Sequence, residues 1–141
     1  MNLCPCGARG DPGASCTCTA QRLAAYRAKL SRALLDRFDL VVAVPRPRAA
    51  ELAAGPSEHS AAVAARVASA RELLATASLR RTPDADALLS RAVDRLPLSG
   101  RGRARVARVA RVVAALAGAE EVQAEHVAEA LAYRSPQELA A

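Results

Sequence analysis

Residues 38–45 read FDLVVAVP. Val41, Val42 and Val44 are β-branched and proline ends the run, so this is the one convincing strand, expected to be buried. A lone strand is not stable in water, because its backbone groups need a neighbour to pair with. The rest of the sequence offers no obvious partner. The chain is therefore expected to be mainly α, with a single strand belonging to a sheet whose other strands lie outside it.

The side-chain inventory agrees. Aromatic residues make up 2% of the 141 and hydrophobic residues 52%. The aromatics are Tyr26, Phe38 and Tyr133, and much of the apolar total is alanine. A core limited to Leu, Val and Ala suits helices packed closely. The length fits about one domain with one real core. No apolar run approaches the roughly 18 residues of a membrane span. The start lacks the basic-then-apolar pattern of a signal peptide. The expectation is a cytoplasmic chain with no membrane partner, where thiols stay reduced.

Punctuation marks the rest. Residues 1–19 read as an irregular Cys/Gly/Pro loop. Residues 20–35 read as a helix with Leu23, Tyr26, Leu30 and Leu34 on one face. The segment 45–57, PRPRAAELAAGPS, reads as a linker. Four helical segments follow. The first carries Val63, Val67, Ala70 and Leu74, with Ser57 as its N-cap. The second starts at Thr82-Pro83, buries Leu88, Leu89, Ala92 and Val93, and stops before Pro97. The third runs from Ser99 to Gly118 as C-cap. The fourth covers about 123–134, with Val127, Ala130 and Leu131 inward. Short connections imply a four-helix, bundle-like domain. The expected division is 1–45, a linker 46–60, a helical domain 61–134 and a tail 135–141.

Three features carry chemistry. Cys4-x-Cys6 and Cys16-x-Cys18 are the only cysteines, two close pairs with nine residues between them. Two thiolate pairs on facing turns can surround Zn²⁺, and Gly7, Gly10, Pro12 and Gly13 allow the turns. Reduced thiols in a loop and disulfides stay open beside the structural-zinc reading. C-x-C is less specific than the usual C-x₂-C spacing.

The second feature is SGRGRARVARVARVVAALAG. On a helical wheel Val106, Val109, Val113 and Leu116 lie together, and Arg101, Arg105 and Arg108 line one edge of that stripe. Such bordering charges often point into a cleft or interface, whereas Arg103 and Arg111 read as a solvated face. Arg101 sits in the first turn, where a cation is mildly disfavoured, as if held there for a ligand such as a phosphate. The third feature is Arg37, flanked by Asp36 and Asp39. It reads either as a structural salt bridge or as an arginine projected from a nucleotide-binding core. His59 and His126 have no ligand partners at useful spacing and read as surface or packing residues. The net charge of +6 points to an anionic partner, nucleic acid or nucleotide. With so few aromatics, any DNA contact would be to phosphates rather than by base stacking.

The order of these motifs is telling. N-x-C-P-C-G-x-x-G-D-P…C-x-C is followed by Y-R-A-K-L-S…L-L-D-R-F-D-L, then S-G-R-G…R-V-A-R-V, then A-E-H-V-A-E-A-L-A-Y-R. Nearly the whole chain resembles the C-terminal part of the magnesium-chelatase-like AAA+ ATPases of the ComM/YifB branch. The resemblance implies a remnant of the α/β nucleotide-binding core with one strand and a Cys-rich loop, then a helical AAA+ lid. It implies ATP and Mg²⁺ as cofactors of the complete protein, a homo-oligomeric ring, expected to be a hexamer, and DNA as substrate, with branch migration during uptake of transforming DNA. By resemblance Asn2 is the sensor-1 residue, Arg37 the arginine finger and Arg101 the sensor-2 residue of the lid.

The sequence departs from that pattern in places. Leu3 stands where proline is usual, and Arg32-Ala33 where Gly-Pro is usual. No G-x-x-x-x-G-K-[ST] occurs, so the chain alone is expected not to hydrolyse ATP. Met1 is then expected to correspond to an internal methionine. Two other readings remain: a stand-alone zinc-clipped helical module binding DNA or protein, and a magnesium chelatase subunit of tetrapyrrole synthesis. The cysteine segment points away from the second.

Overall fold

The structure is a computed structural model that describes residues 2–11, 13–35, 37–55, 57–96 and 98–134, with only the backbone of residues 32 and 33. The expected tail, Met1, Asp36 and the helix stop at Pro97 lie outside the described residues. Seven helices occur among them: α1 (Ala20–Arg27), α2 (Arg32–Leu35), α3 (Ala49–Ala53), α4 (Ser60–Thr76), α5 (Pro83–Arg95), α6 (Gly100–Leu116) and α7 (Ala124–Ala132).

Helices α4–α7 form the packed body, and α6 is its centre. It packs against α4 and α7, while α5 packs against α7 and more lightly against α6. The core between them holds Leu79, Leu89, Val106, Val109, Val122 and Val127 with six alanines. Among the described residues it contains no aromatic side chain, and Tyr133 is the one aromatic among the partly buried residues packed against it. Small side chains let these helix axes come close, as the composition implied.

Local chemistry sets the helix ends. Thr82 caps α5 by accepting the Ala85 N–H at 3.3 Å, ahead of Pro83 at the first helical position. Ser99 caps α6 by accepting the Gly102 N–H at 3.0 Å. Past α6, Gly118 has φ +68, and Ala119 N–H reaches back to Ala114 C=O at 2.9 Å. With Gly118 N–H donating to Ala115 C=O at 3.1 Å, this is a Schellman ending, which needs a left-handed residue that glycine supplies freely. The α4–α5 and α6–α7 connections then join through one parallel bridge, Arg81 to Val122.

Several expectations need correction. The run 38–45 forms no strand, and residues 40–48 carry no regular secondary structure. Val41 N–H pairs across the chain with Tyr133 C=O at 2.9 Å, a single contact rather than a ladder. A strand without a partner does not form, which is the physics that made the run conspicuous. The helix expected over 20–35 breaks into α1 and α2. Ser31 starts the second piece, its hydroxyl accepting the Leu34 N–H at 3.2 Å. α1 buries no residue, so packing does not hold the two pieces in one rod. The linker contains α3, started by the Arg48 N–H donating to Glu51 at 2.6 Å. α4 is preceded by His59 rather than Ser57. Val63 and Leu116, expected inward, are exposed.

Candidate functional site

The cysteine loop is built from tight turns. Gly7 N–H closes back on Cys4 C=O at 3.1 Å, and Asp11 N–H on Ala8 C=O at 3.2 Å. Gly7 and Gly10 have φ of +80 and +85, and a Cβ on Gly10 would stand 2.8 Å from Leu3 Cδ1. The backbone sign favours glycine at both positions, and at Gly10 a Cβ would also push the Leu3 side chain aside. The fold of these turns gathers all four sulfurs within 4.8 Å of one another. Cys4 and Cys6 sulfurs are 3.3 Å apart, and Cys6 and Cys16 sulfurs 3.7 Å. All four cysteines are free thiols, so the disulfide reading does not describe this state.

Tetrahedral zinc with Zn–S bonds of about 2.3 Å sets its sulfurs roughly 3.8 Å apart, so the cluster fits a Zn²⁺ ion with small adjustments. Cys4 is buried and its sulfur accepts the Arg9 N–H at 3.3 Å, the kind of backbone contact that steadies a metal thiolate. The thiols differ in acidity. Hydrogen bonds from the Ala8 backbone, then from the Cys4 and Cys18 side chains, lower Cys6 to about 6. At Cys16 the Cys18 backbone acts downward, but burial and the neighbouring thiols outweigh it and push the group to about 11. A site that already favours one thiolate is electrostatically ready for a cation. It does not suit Mg²⁺, which takes oxygen ligands.

The residues that the resemblance assigns to nucleotide contacts all lie on the surface. Asn2 is exposed, its amide nitrogen 3.4 Å from where a Gly7 Cβ would stand. Arg37 and Arg101 are both exposed. No hydrogen bond or ion pair joins Asn2, Arg37 and Arg101 among the described residues. Arg101 occupies the first turn of α6.

The other arginines of α6 separate by partner. Arg105, at the stripe edge, donates to Asp39 at 2.8 Å, and Arg108 lies 4.0 Å from the same carboxylate. Arg105 thus meets the segment after Arg37, as its position at the stripe edge suggested, whereas Arg108 is mostly exposed. Arg103 is exposed. Arg111 is not on a solvated face: its Nη2 donates to Leu74 C=O at 3.2 Å and Ala77 C=O at 3.1 Å. It caps the carbonyl end of α4, where a cation is favoured. His126 is buried, and its Nδ1 accepts the Gln123 N–H at 3.0 Å to start α7, so it is a packing and capping residue.

Two residues that matter to these contacts do not stand out in the sequence. Asp39 is visible there only as a neighbour of Arg37, and Arg134 only as the end of a helix. The signal was charge order: a carboxylate two residues past Arg37, and an arginine closing the last helix.

Two family profiles match the chain in succession. Residues 1–52 match the family profile described as "Magnesium chelatase, subunit ChlI". Residues 57–134 match "Magnesium chelatase, subunit ChlI C-terminal". An uncharacterized protein of Mycobacterium tuberculosis is 40% identical over 152 residues, covering 94% of this chain and 30% of the relative. An uncharacterized protein of Mycobacterium bovis has the same identity and coverage. The competence protein ComM of Haemophilus influenzae is 34% identical over 132 residues, covering 82% of this chain and 26% of its own length. The chain thus spans 30% or less of the curated relatives it matches. With a lid of packed α4–α7, an almost strandless remainder and these matches, the chain belongs to the magnesium-chelatase-like family, in its ComM/YifB branch.

Proposed function

We propose that this chain serves in an ATP-driven ring motor acting on DNA, of the kind that remodels strands during uptake of transforming DNA. It contributes the lid, α4–α7, and three polar contacts: Asn2 as the sensor that orients water, Arg101 as the lid sensor, and Arg37 as the finger offered to the next subunit's nucleotide. The observation that carries this reading is the exposure of Arg37 and Arg101 within a chain matched by both family profiles. An exposed guanidinium is free to meet a phosphate and to offset charge developing on it during transfer. ATP supplies the transferable phosphoryl group. The carboxylates for Mg²⁺ and the phosphate loop come, in this reading, from the part of the relatives' length that the chain does not span. The net charge of +6 suits a phosphate-contacting DNA partner. Cys4, Cys6, Cys16 and Cys18 hold a structural zinc that fixes the loop after Asn2.

The test is a graft. This chain replaces the matched region of the Mycobacterium tuberculosis relative, and ATPase turnover is measured with and without duplex DNA. The graft is expected to hydrolyse ATP, and Arg37→Ala or Arg101→Ala to lower kcat on the order of 10³-fold. The isolated chain is expected to show no turnover. Equal turnover with and without Arg37 sinks the reading. The stand-alone binding module is the alternative, favoured by a lid whose core closes on itself. An inactive graft together with steeply salt-dependent DNA binding by the isolated chain would select it.

A further inference from the structure

The segment just past Arg37 is held by the lid from two sides. Asp39 accepts from Arg105 of α6 at 2.8 Å, with Arg108 at 4.0 Å behind it. Phe38 C=O accepts from Arg134 Nη1 at 2.6 Å, just past the end of α7. Val41 N–H donates to Tyr133 C=O at 2.9 Å. These contacts span 66 and 96 residues of sequence at Asp39 and Phe38, and all fall on residues 38–41. The Arg134 guanidinium also lies against the start of α6: its Nη2 is 3.4 Å from where a Gly102 Cβ would stand. Gly102 is buried and adjoins Arg101. One guanidinium therefore bonds the carbonyl next to Arg37 and fills the space beside Gly102 that a side chain there would enter, next to Arg101.

The chemistry favours a firm but releasable joint. Arg105 and Asp39 are partly exposed, with side-chain exposures of 23% and 44%, so their ion pair is a modest one. The Arg134 contact is charge-assisted and stronger. Little apolar burial backs them, since Phe38, Leu40 and Val42 are exposed. The joint is polar and can part without opening a core.

We propose that residues 38–41 are a latch that couples the two exposed arginines, with Asp39 and Arg134 as its positioning residues. A phosphate drawn to Arg101 moves the start of α6, and the latch carries that movement to Arg37, which faces a different nucleotide. The coupling rests on the reading of Arg37 and Arg101 given above, whereas the latch itself rests on the contacts alone.

Two measurements test it. In the 141-residue chain, amide hydrogen exchange is followed at Val41, with Leu89 as the folding control. Asp39→Asn is expected to speed Val41 exchange up to about fivefold, the range of an exposed ion pair. Arg134→Gln is expected to speed it about tenfold or more, as loss of a charged hydrogen bond does. Leu89 exchange stays unchanged in both. Unchanged Val41 exchange in both variants overturns the latch.

In the graft, Asp39→Asn is expected to lower kcat several-fold at constant KM for ATP. The charge swap Asp39→Arg with Arg105→Asp is expected to restore it. A residue that merely supported lid packing would raise KM as well. If Arg37→Ala abolishes turnover while Asp39→Asn leaves kcat alone, the coupling fails and the motor reading stands. If Arg37→Ala itself changes nothing, the motor reading fails and takes the coupling with it, whatever Val41 shows.

Discussion

Leu89 is 0% exposed, and Leu40, the same side chain in the first third of the chain, is 51% exposed. The contrast extends to the regions around them. Apart from Cys4, every buried apolar residue described lies between Ala70 and Ala130. Before α4 the apolar side chains Phe38, Val42, Val44 and Leu52 all face outward. Helix length follows the same division: α4 and α6 run 17 residues each, whereas α2 and α3 run four and five. Isolated helical turns are marginal in water, and only tertiary burial makes them long. The lid is thus ordered by its core. The first fifty residues are ordered by tight turns, by gathered sulfurs and by polar straps to the lid.

The largest way to break this comparison is through the metal. If sulfur ligation organises residues 2–18, the purified chain carries one zinc per chain with apparent binding on the order of 10 kcal/mol at neutral pH. Cys4→Ser with Cys16→Ser should abolish the metal, measured by elemental analysis, and speed amide exchange across the loop. The lid's thermal midpoint should not move. A metal-free chain that refuses added zinc would remove the proposed centre. A midpoint that falls with the metal would show the two regions to be one cooperative unit.

The next test uses the paired leucines. Leu89→Ala leaves a cavity in a closed core and is expected to cost about 2–5 kcal/mol in denaturant unfolding. Leu40→Ala removes an exposed side chain and is expected to stay within about 0.5 kcal/mol. Similar losses at both sites would mean that Leu40 is packed in solution, and that the division at α4 is wrong.

The lid was legible in sequence for reasons that are local. Thr82-Pro83, Ser99 and Gly118 act on backbone groups within a few residues, so their spacing suffices to place α5 and α6. The stripe Val106 and Val109 is set by the helical period. The same period misled at residues 20–35, where the apolar face exists but Leu23, Tyr26 and Leu30 are only partly buried. Arg111 looks solvated on a wheel because its partners are carbonyls at the end of another helix. The cysteine cluster could be inferred from its spacing, though not which sulfurs approach most closely. The charges of Asp39 and Arg134 stand in the sequence, but their partners Arg105 and the Phe38 carbonyl could not be read, because no local rule links residues so far apart.

The smallest expected effect concerns the tie between the cysteine loop and the segment leading into α3. Asp11 accepts the Gly13 N–H at 2.9 Å and pairs with Arg46 at 2.9 Å. The Gly13 backbone, then the Arg46 guanidinium, hold its carboxyl below the usual range. A carboxyl depressed in the folded state adds stability above its unfolded value of about 3.9, and that contribution is lost as pH falls through the folded value. The tie should therefore be intact at neutral pH and fail only in acid. Gly13 amide exchange, corrected for intrinsic rates, should accelerate below about pH 4, near the unfolded carboxyl value. Asp11→Asn should give faster exchange at neutral pH and flatten the acid dependence. The lid midpoint should be the same in both proteins, because the hydrogen bonds of Asp11 and Arg46 among the described residues fall before α4. A lower midpoint for Asp11→Asn at neutral pH would mean that the cysteine loop helps to hold the lid, and that the first fifty residues are more than a strapped appendage.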